Sequence, residues 1–229
     1  MINIQYMIRS LFYKEWMKTK WFLLLAFIVL VGVSYYAMMV FQHTVSRKGM
    51  EHLLIMMLMR KATLVHLVKY LPIGVGLGMA IVQFVPEMHK KCLKLTLHLP
   101  FVISKSIGVM LAWGTLMLTL CFASSFLVIF GTLYGALPSE LLAQSLSTLY
   151  PWYAAGFFAY FMVSATVLEP TWGWRIGYAL ITVLGLRIYL LSDQPFAYTH
   201  FTWEMIALII LASTLSWQSV HRFKVGHQD

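Results

Sequence analysis

The sequence predicts an all-α integral membrane protein with six transmembrane helices, an amphipathic interfacial helix at the N-terminus and a short cytoplasmic helix between spans 2 and 3. Its composition is 60% hydrophobic and 11% charged, whereas soluble domains have roughly half and a quarter. Apolar runs of about 20 residues, the length that crosses a bilayer, recur along the chain. Because these runs use most of the 229 residues, residues 1–229 are predicted to form a single transmembrane domain.

The N-terminal segment has a helical apolar stripe that includes Ile4, Ile8, Leu11 and Phe12. This pattern predicts an amphipathic helix over residues 2–12 that lies along the membrane surface. Lys14 and Lys18, just after this stripe, are expected near lipid phosphates. The polar residues assigned to the interfacial helix are Arg9, Lys14, Glu15 and Lys18. A cleaved signal peptide is the competing interpretation, but the following apolar run is too long for one. Residues 21–41 carry no charge and are predicted to be span 1.

The next two spans are predicted at residues 64–85 and 107–133. Residues 42–61 contain an apolar run that is too short to cross a membrane. Two interpretations stay open for this run, an interfacial or re-entrant helix and an extension of span 2. Gly74 and Gly78 predict close helix packing in span 2. His66 and Lys69 lie near one end of that span.

Spans 4, 5 and 6 are predicted at residues 152–168, 174–191 and 203–220, with a short surface helix at 141–149. Arg187 lies near the far end of span 5 and Glu204 at the start of span 6. One interpretation has Arg187 reaching the membrane surface, and the other pairs it with Glu204 or Asp193. The candidate intramembrane polar contacts are His66, Lys69, Arg187 and Glu204.

A charged island at residues 86–105 separates spans 2 and 3. Pro86 can open a helix there and Pro100 must end it. On that helix an apolar stripe lies beside a charged arc. An ordinary basic cytoplasmic loop and a docking helix for a soluble partner are both consistent with this pattern. The charged arc consists of Glu87, Lys90, Lys91 and Lys94.

The distribution of basic residues predicts the orientation. Of the 17 lysines and arginines, eleven fall on the side that holds both termini and the 86–105 island, and four fall on the other side. The positive-inside rule therefore places both termini in the cytoplasm, in a plasma (inner) membrane protein. The formal charge of +9 points to anionic lipid as a partner, not to nucleic acid.

No pattern in the chain predicts catalysis, cofactor binding or a metal site. His89 and Cys92 share a helix face, but His98 points away from them and no fourth ligand is near. The sequence has no H-E-x-x-H, no nucleophile–histidine arrangement and no pair of carboxylates within a span. The chain is therefore expected not to be an enzyme.

Two stretches resemble the permease subunits of type-2 ATP-binding-cassette (ABC) exporters. LFYKEWMKTKW is similar to the basic amphipathic segment that leads into the family's first span. FVPEMHKKCLKLTLHLPFVISKSIGVML is similar to the stretch that follows span 2 in the family. That stretch consists of a glutamate, a basic coupling helix, a leucine-rich segment that ends in proline and a lysine that opens span 3. Glu87, Pro100 and Lys105 fall at those places.

The resemblance implies six helices per subunit and a dimer with the same or a related permease chain. It also implies two cytoplasmic ATPase subunits, which would bind ATP and Mg²⁺, since this chain has no phosphate-binding G-x-x-x-x-G-K-[ST] motif. The resemblance also implies export, and spans so poor in charge favour an amphipathic or lipid-like cargo over an ion. The alternative function is a small multi-pass membrane enzyme or scaffold that works without an ATPase partner.

Overall fold

The computed structural model describes residues 4–49, 66–89 and 103–225, and all regular structure in these ranges is helical. Two short 3₁₀ turns, His66–Val68 and Thr199–Phe201, accompany six α-helices. In chain order the α-helices are α1 (Ile4–Lys48), α2 (Leu71–His89), α3 (Ile103–Tyr134), α4 (Ser139–Leu168), α5 (Trp172–Tyr189) and α6 (Thr202–Val225).

Five of these described helices, all but α5, are long and apolar enough to cross a membrane. The prediction of an all-helical, multi-pass membrane protein is confirmed at this level, but the count of six spans is not. Helix α5 has 18 residues, and the arginines near its two ends, Arg175 and Arg187, lower its mean hydropathy. Its sequence therefore does not by itself mark it as a span.

Helix α1 is a single helix of 45 residues. At 1.5 Å per residue it is about 67 Å long, more than the roughly 45 Å of a bilayer with its head groups. The chain has no proline between Ile4 and Lys48 that would break it. The predicted separate interfacial helix is therefore not confirmed, since its described residues continue directly into the first span.

Helix α4 lies at the centre of the bundle and packs against α2, α3, α5 and α6. In its most apolar stretch 72% of the residues are buried, against at most 50% in the other candidate spans. The prediction of a separate surface helix at 141–149 is wrong, because these residues form the first turns of α4, which continues through Pro151. Leu141 and Leu149 are buried there, so burial keeps this segment inside the bundle.

Glycines allow α2 to approach its neighbours closely. A Cβ atom on Gly76 would lie 2.1 Å from the carbonyl oxygen of Gly156 in α4, and one on Gly78 would lie 2.6 Å from the ring of Phe22 in α1. Around Gly74 a Cβ would meet nothing within 4 Å. The predicted close packing is therefore found at Gly78 but not at Gly74, and its tightest contact is at Gly76.

Helix α2 also runs further than predicted. Pro86 lies inside it, and the helix continues to His89, so the prediction that Pro86 opens a separate loop helix is wrong. About four turns of apolar helix precede this proline, and the helix continues through it. The short apolar core after span 1 and the loop residues 90–102 lie outside the described residues.

Candidate functional site

Charged side chains gather at both ends of the described bundle. At one end, Lys18 near the beginning of α1 contacts Glu87 near the end of α2. At the same end, Glu169 just after α4 contacts Arg222 near the end of α6. We call this the Glu87 end. A contact between Lys69 and Asp193 marks the other, the Asp193 end, where α2 begins and the α5–α6 loop lies.

Four side chains from two helices form what we call the Glu87 cluster, Lys14, Glu15 and Lys18 of α1 with Glu87 of α2. The Oε1 atom of Glu87 lies 2.8 Å from the ammonium of Lys14 and 2.7 Å from that of Lys18. The Lys18 ammonium also lies 2.6 Å from Oε1 of Glu15. Glu15 and Glu87 are almost completely buried, so one lysine bridges two buried carboxylates.

The spacing of the α1 residues explains why they meet Glu87. Lys14 and Lys18 are four residues apart and therefore lie on one helix face, and Glu15 is on the same side, three residues before Lys18. The cluster contains two formal negative and two formal positive charges. Burial of a charge is unfavourable unless it is paired, so this balance is what permits the carboxylates to leave solvent.

A neutral hydrogen-bond network continues from the cluster into two more helices. Gln83, one turn before Glu87, donates to the carbonyl oxygen of Met110 in α3 over 2.7 Å. Its own Oε1 accepts a 2.8 Å hydrogen bond from the hydroxyl of Tyr160 in α4. Gln83 and Tyr160 are fully buried. The Glu87 end therefore connects α1, α2, α3 and α4 through polar contacts.

Glu169 forms a second buried ion pair at the same end. Its Oε2 atom lies 3.0 Å from the guanidinium of Arg222 in α6, and its carbonyl oxygen accepts a 2.6 Å hydrogen bond from Arg175 of α5. Arg222 also donates to the Tyr178 hydroxyl and stacks over the Trp174 ring at 4.6 Å. This pair was not predicted, because Glu169 and Arg222 are far apart in the chain and no local pattern relates them.

The Asp193 end has one ion pair among the described residues. The ammonium of Lys69 lies 2.6 Å and 2.7 Å from the two carboxylate oxygens of Asp193. Lys69 is buried, whereas the Asp193 side chain is 39% exposed. Burial raises the pKa of the nearby Tyr198 hydroxyl, which therefore stays protonated and donates to the carbonyl oxygen of Ile188.

Between the two ends, hydroxyl groups supply a buried polar contact in the bundle interior. The Ser34 and Ser125 oxygens of α1 and α3 are 2.6 Å apart, and the Ser125 oxygen is 2.9 Å from the Tyr153 hydroxyl of α4. Each group has a partner, as buried polar groups in a membrane require. These hydroxyls can hold three helices together. Their hydrogen-bond partners in the described ranges are other hydroxyls, not a base that could activate a nucleophile.

The residues predicted to form polar contacts within the membrane do not lie together in the structure. Lys69 does form a buried contact, with Asp193. Arg187 and Glu204 are both exposed and form no ion pair within the described residues. The predicted pairing of Arg187 with Glu204 or Asp193 is therefore wrong, because Arg187 faces outward from α5 and Asp193 is bound to Lys69. The His66 side chain lies outside the described residues.

The predicted docking and interfacial residues are also placed differently from the expectation. Glu87 is buried in the Glu87 cluster and does not lie on an exposed charged flank. Lys14, Glu15 and Lys18 contact α2 in place of lipid head groups, and Arg9 is exposed. The three lysines of the predicted docking arc, Lys90, Lys91 and Lys94, lie outside the described residues and stay predictions.

Within the described ranges no group of three or more His, Cys, Asp or Glu side chains could hold a metal ion. Comparisons of the chain with protein-family models, with curated proteins and with solved structures found no match. The geometry of the two ends is therefore the main structural basis for a functional hypothesis.

Proposed function

We propose that this chain is the membrane-spanning permease subunit of an ABC transporter, an exporter of amphipathic or lipid-like cargo. One observation carries the proposal. The two stretches that resemble the type-2 exporter permeases, far apart in the chain, meet at the Glu87 cluster, where Lys14 and Lys18 of the first bind Glu87 of the second. A shared contact gives a physical reason for both stretches to occur in one protein.

This contact suggests how a partner could act on the helices. The segment 90–102, predicted to dock an ATPase, follows directly after the last turn of α2. A force on that segment would reach Glu87 first, then α1 through its lysines. Gln83 would pass it to α3 and α4 through Met110 and Tyr160. Hydrolysis of ATP, with its Mg²⁺, would take place on the separate subunit.

The proposal includes six spans, both termini in the cytoplasm and a second permease subunit. Helix α5 is the sixth span, because it begins beside Glu169 at the Glu87 end and finishes just before Asp193 at the opposite end. Arg187, exposed near its end, would extend toward the head groups. The Glu87 end then faces the cytoplasm of a plasma (inner) membrane, as the count of basic residues predicts.

The alternative, a membrane enzyme or scaffold without an ATPase, needs a reactive group in the bundle. The described charged groups at the Glu87 end are instead held in ion pairs between helices, Glu87 with Lys14 and Lys18 and Glu169 with Arg222. This pairing favours a mechanical role over a catalytic one.

Purification of the tagged chain from its native membrane tests the proposal. We expect an ATPase subunit that has a phosphate-binding loop and no spans of its own to purify with it. Reversal of charge at the docking arc, Lys90→Glu with Lys91→Glu, should lower recovery of that subunit about tenfold or more, a loss of roughly 1.4 kcal/mol. Recovery of the permease itself should not change.

The matched control is Arg47→Glu with Lys48→Glu, which reverses two adjacent basic residues near the other end of α1. This variant should retain the ATPase subunit. If no ATPase purifies with the wild-type chain, or if both double variants retain it equally, the proposal is contradicted.

A further inference from the structure

An apolar groove runs along the outer surface between α1 and α3. Its volume is about 540 Å³. We call it the Lys20 groove, and the residues that matter for its chemistry are Trp16, Lys20, Leu24, Phe27, Met117 and Leu120. Leu24, Phe27 and Leu120 are about half exposed, so hydrocarbon from the bilayer can reach them. Among the described residues, Lys20 is the only cationic side chain that lines the groove.

The charge of Lys20 is not balanced within the described chain. Lys14 and Lys18, on the same helix, are paired with the carboxylates of the Glu87 cluster. The Lys20 ammonium instead lies 3.8 Å from the sulfur of Met17 and 5.8 Å from the centre of the Trp21 ring. An ammonium at the rim of an apolar groove is complementary to an anion that carries an apolar tail.

The dimensions of the groove match one leaflet of a bilayer. Trp16 and Phe27, near its two ends, are eleven residues apart in the chain, which is about 16 Å along the helix axis. Half of the hydrocarbon core is about 15 Å thick. At the Lys20 end, Trp16 packs edge-to-face against Trp113 at 6.1 Å. Tryptophan is typical of the membrane interface, where a lipid head group would lie.

We propose that the Lys20 groove binds an anionic phospholipid of the bilayer. The phosphate pairs with the Lys20 ammonium, and an acyl chain lies against Leu24, Phe27 and Leu120. This inference does not depend on the proposed transport function, because it concerns the chain alone in its membrane.

A second groove provides an internal comparison. It lies between α1 and α2, has a volume of about 400 Å³ and is lined by apolar residues that include Leu25, Leu67 and Gly74. In the part of the chain that the structure describes, no cationic side chain lines it. Lipid chains can enter this groove as well, but it has no group that would distinguish an anionic head group from a zwitterionic one.

Native mass spectrometry of the purified chain tests the proposal, with phosphatidylglycerol and phosphatidylcholine of identical acyl chains as probes. We expect wild type to bind phosphatidylglycerol about fivefold more tightly than phosphatidylcholine. One lysine near an anionic head group contributes about 1 kcal/mol, which corresponds to this ratio of affinities. Lys20→Gln should remove this preference. Leu24→Trp, which fills the groove, should lower binding of phosphatidylglycerol.

Two matched variants serve as controls. Arg9→Gln removes one exposed charge from the same helix, and Leu25→Trp makes the same size change one residue away, in the second groove. Both should retain the preference for phosphatidylglycerol. A thermal melt of each variant in detergent shows that it is folded before lipid binding is compared.

Three outcomes would overturn the proposal. The first is equal affinity of wild type for the two lipids. The second is a loss of preference in Arg9→Gln as large as in Lys20→Gln, which would indicate general attraction to positive charge. Efficient disulfide cross-linking of Leu24→Cys between two chains in native membranes would instead show that a second copy occupies the groove.

Discussion

The two ends of the bundle use ion pairs in different surroundings. At the Glu87 end the carboxylates of Glu15, Glu87 and Glu169 are at most 1% exposed, and two of them bind cations from other helices. At the Asp193 end the acid belongs to a loop, and its side chain is 39% exposed. Loss of one partner from a buried pair costs several kcal/mol, whereas exposed pairs contribute about 0 to 1 kcal/mol. The Glu87 end should therefore hold its helices more firmly.

The largest expected effect is at Glu87. Glu87→Gln keeps the shape of the side chain but leaves Lys14 and Lys18 without their shared partner. We expect the free energy of unfolding to fall by about 3 kcal/mol, the range for a broken buried pair. Titration with sodium dodecyl sulfate in detergent micelles measures this change. The control is Glu204→Gln, which makes the same change at an exposed acid. An equal loss of unfolding free energy in both variants would show that burial of Glu87 makes no difference.

A smaller effect is expected at the pair of Lys69 and Asp193. Lys69→Gln breaks the pair and leaves only the Asp193 carboxylate, whose side chain is 39% exposed, so we expect a loss of about 1 kcal/mol. The same titration measures it. A loss as large as that of Glu87→Gln would show that the two ends are equally firm and would contradict the comparison.

The smallest effect is expected at the exposed charges of α5 and α6. Arg187→Gln and Glu204→Gln should each change the free energy of unfolding by no more than about 0.5 kcal/mol, because neither side chain forms an ion pair within the described residues. The double variant should show the sum of the single changes. A coupling above about 1 kcal/mol between them would restore the pair that sequence analysis predicted.

The sequence was sufficient for the class of fold but not for the contacts between helices. Apolar runs near the length of a bilayer predicted helices at most of the right places. Lys69 was a candidate for a polar contact, but its partner in the structure, Asp193, had been considered only for Arg187. Glu87 was assigned to a docking surface because its spacing to nearby lysines suits an exposed helix. Its partner Lys18 is 69 residues away in the chain, and helical periodicity contains no information about such a distance.

Boundaries failed for a similar reason. Pro86 was expected to open a separate helix, and the predicted segments 141–149 and 152–168 were divided near Pro151, whereas both prolines lie inside helices. A proline removes one backbone donor, which ends a helix in water more readily than in a packed membrane bundle. Around Pro151 the burial of Leu149 and Trp152 compensates for that loss, and such packing depends on residues distant in sequence.

The proposed mechanism depends on energetic coupling between α1 and α2 through Lys18 and Glu87. A double-mutant cycle with Glu87→Gln, Lys18→Gln and the double variant measures that coupling directly from the free energies of unfolding. We predict a coupling of about 1.5 kcal/mol or more, within the range for residues of one ionic network. Additivity within about 0.5 kcal/mol would show that the two side chains act independently and would contradict the account.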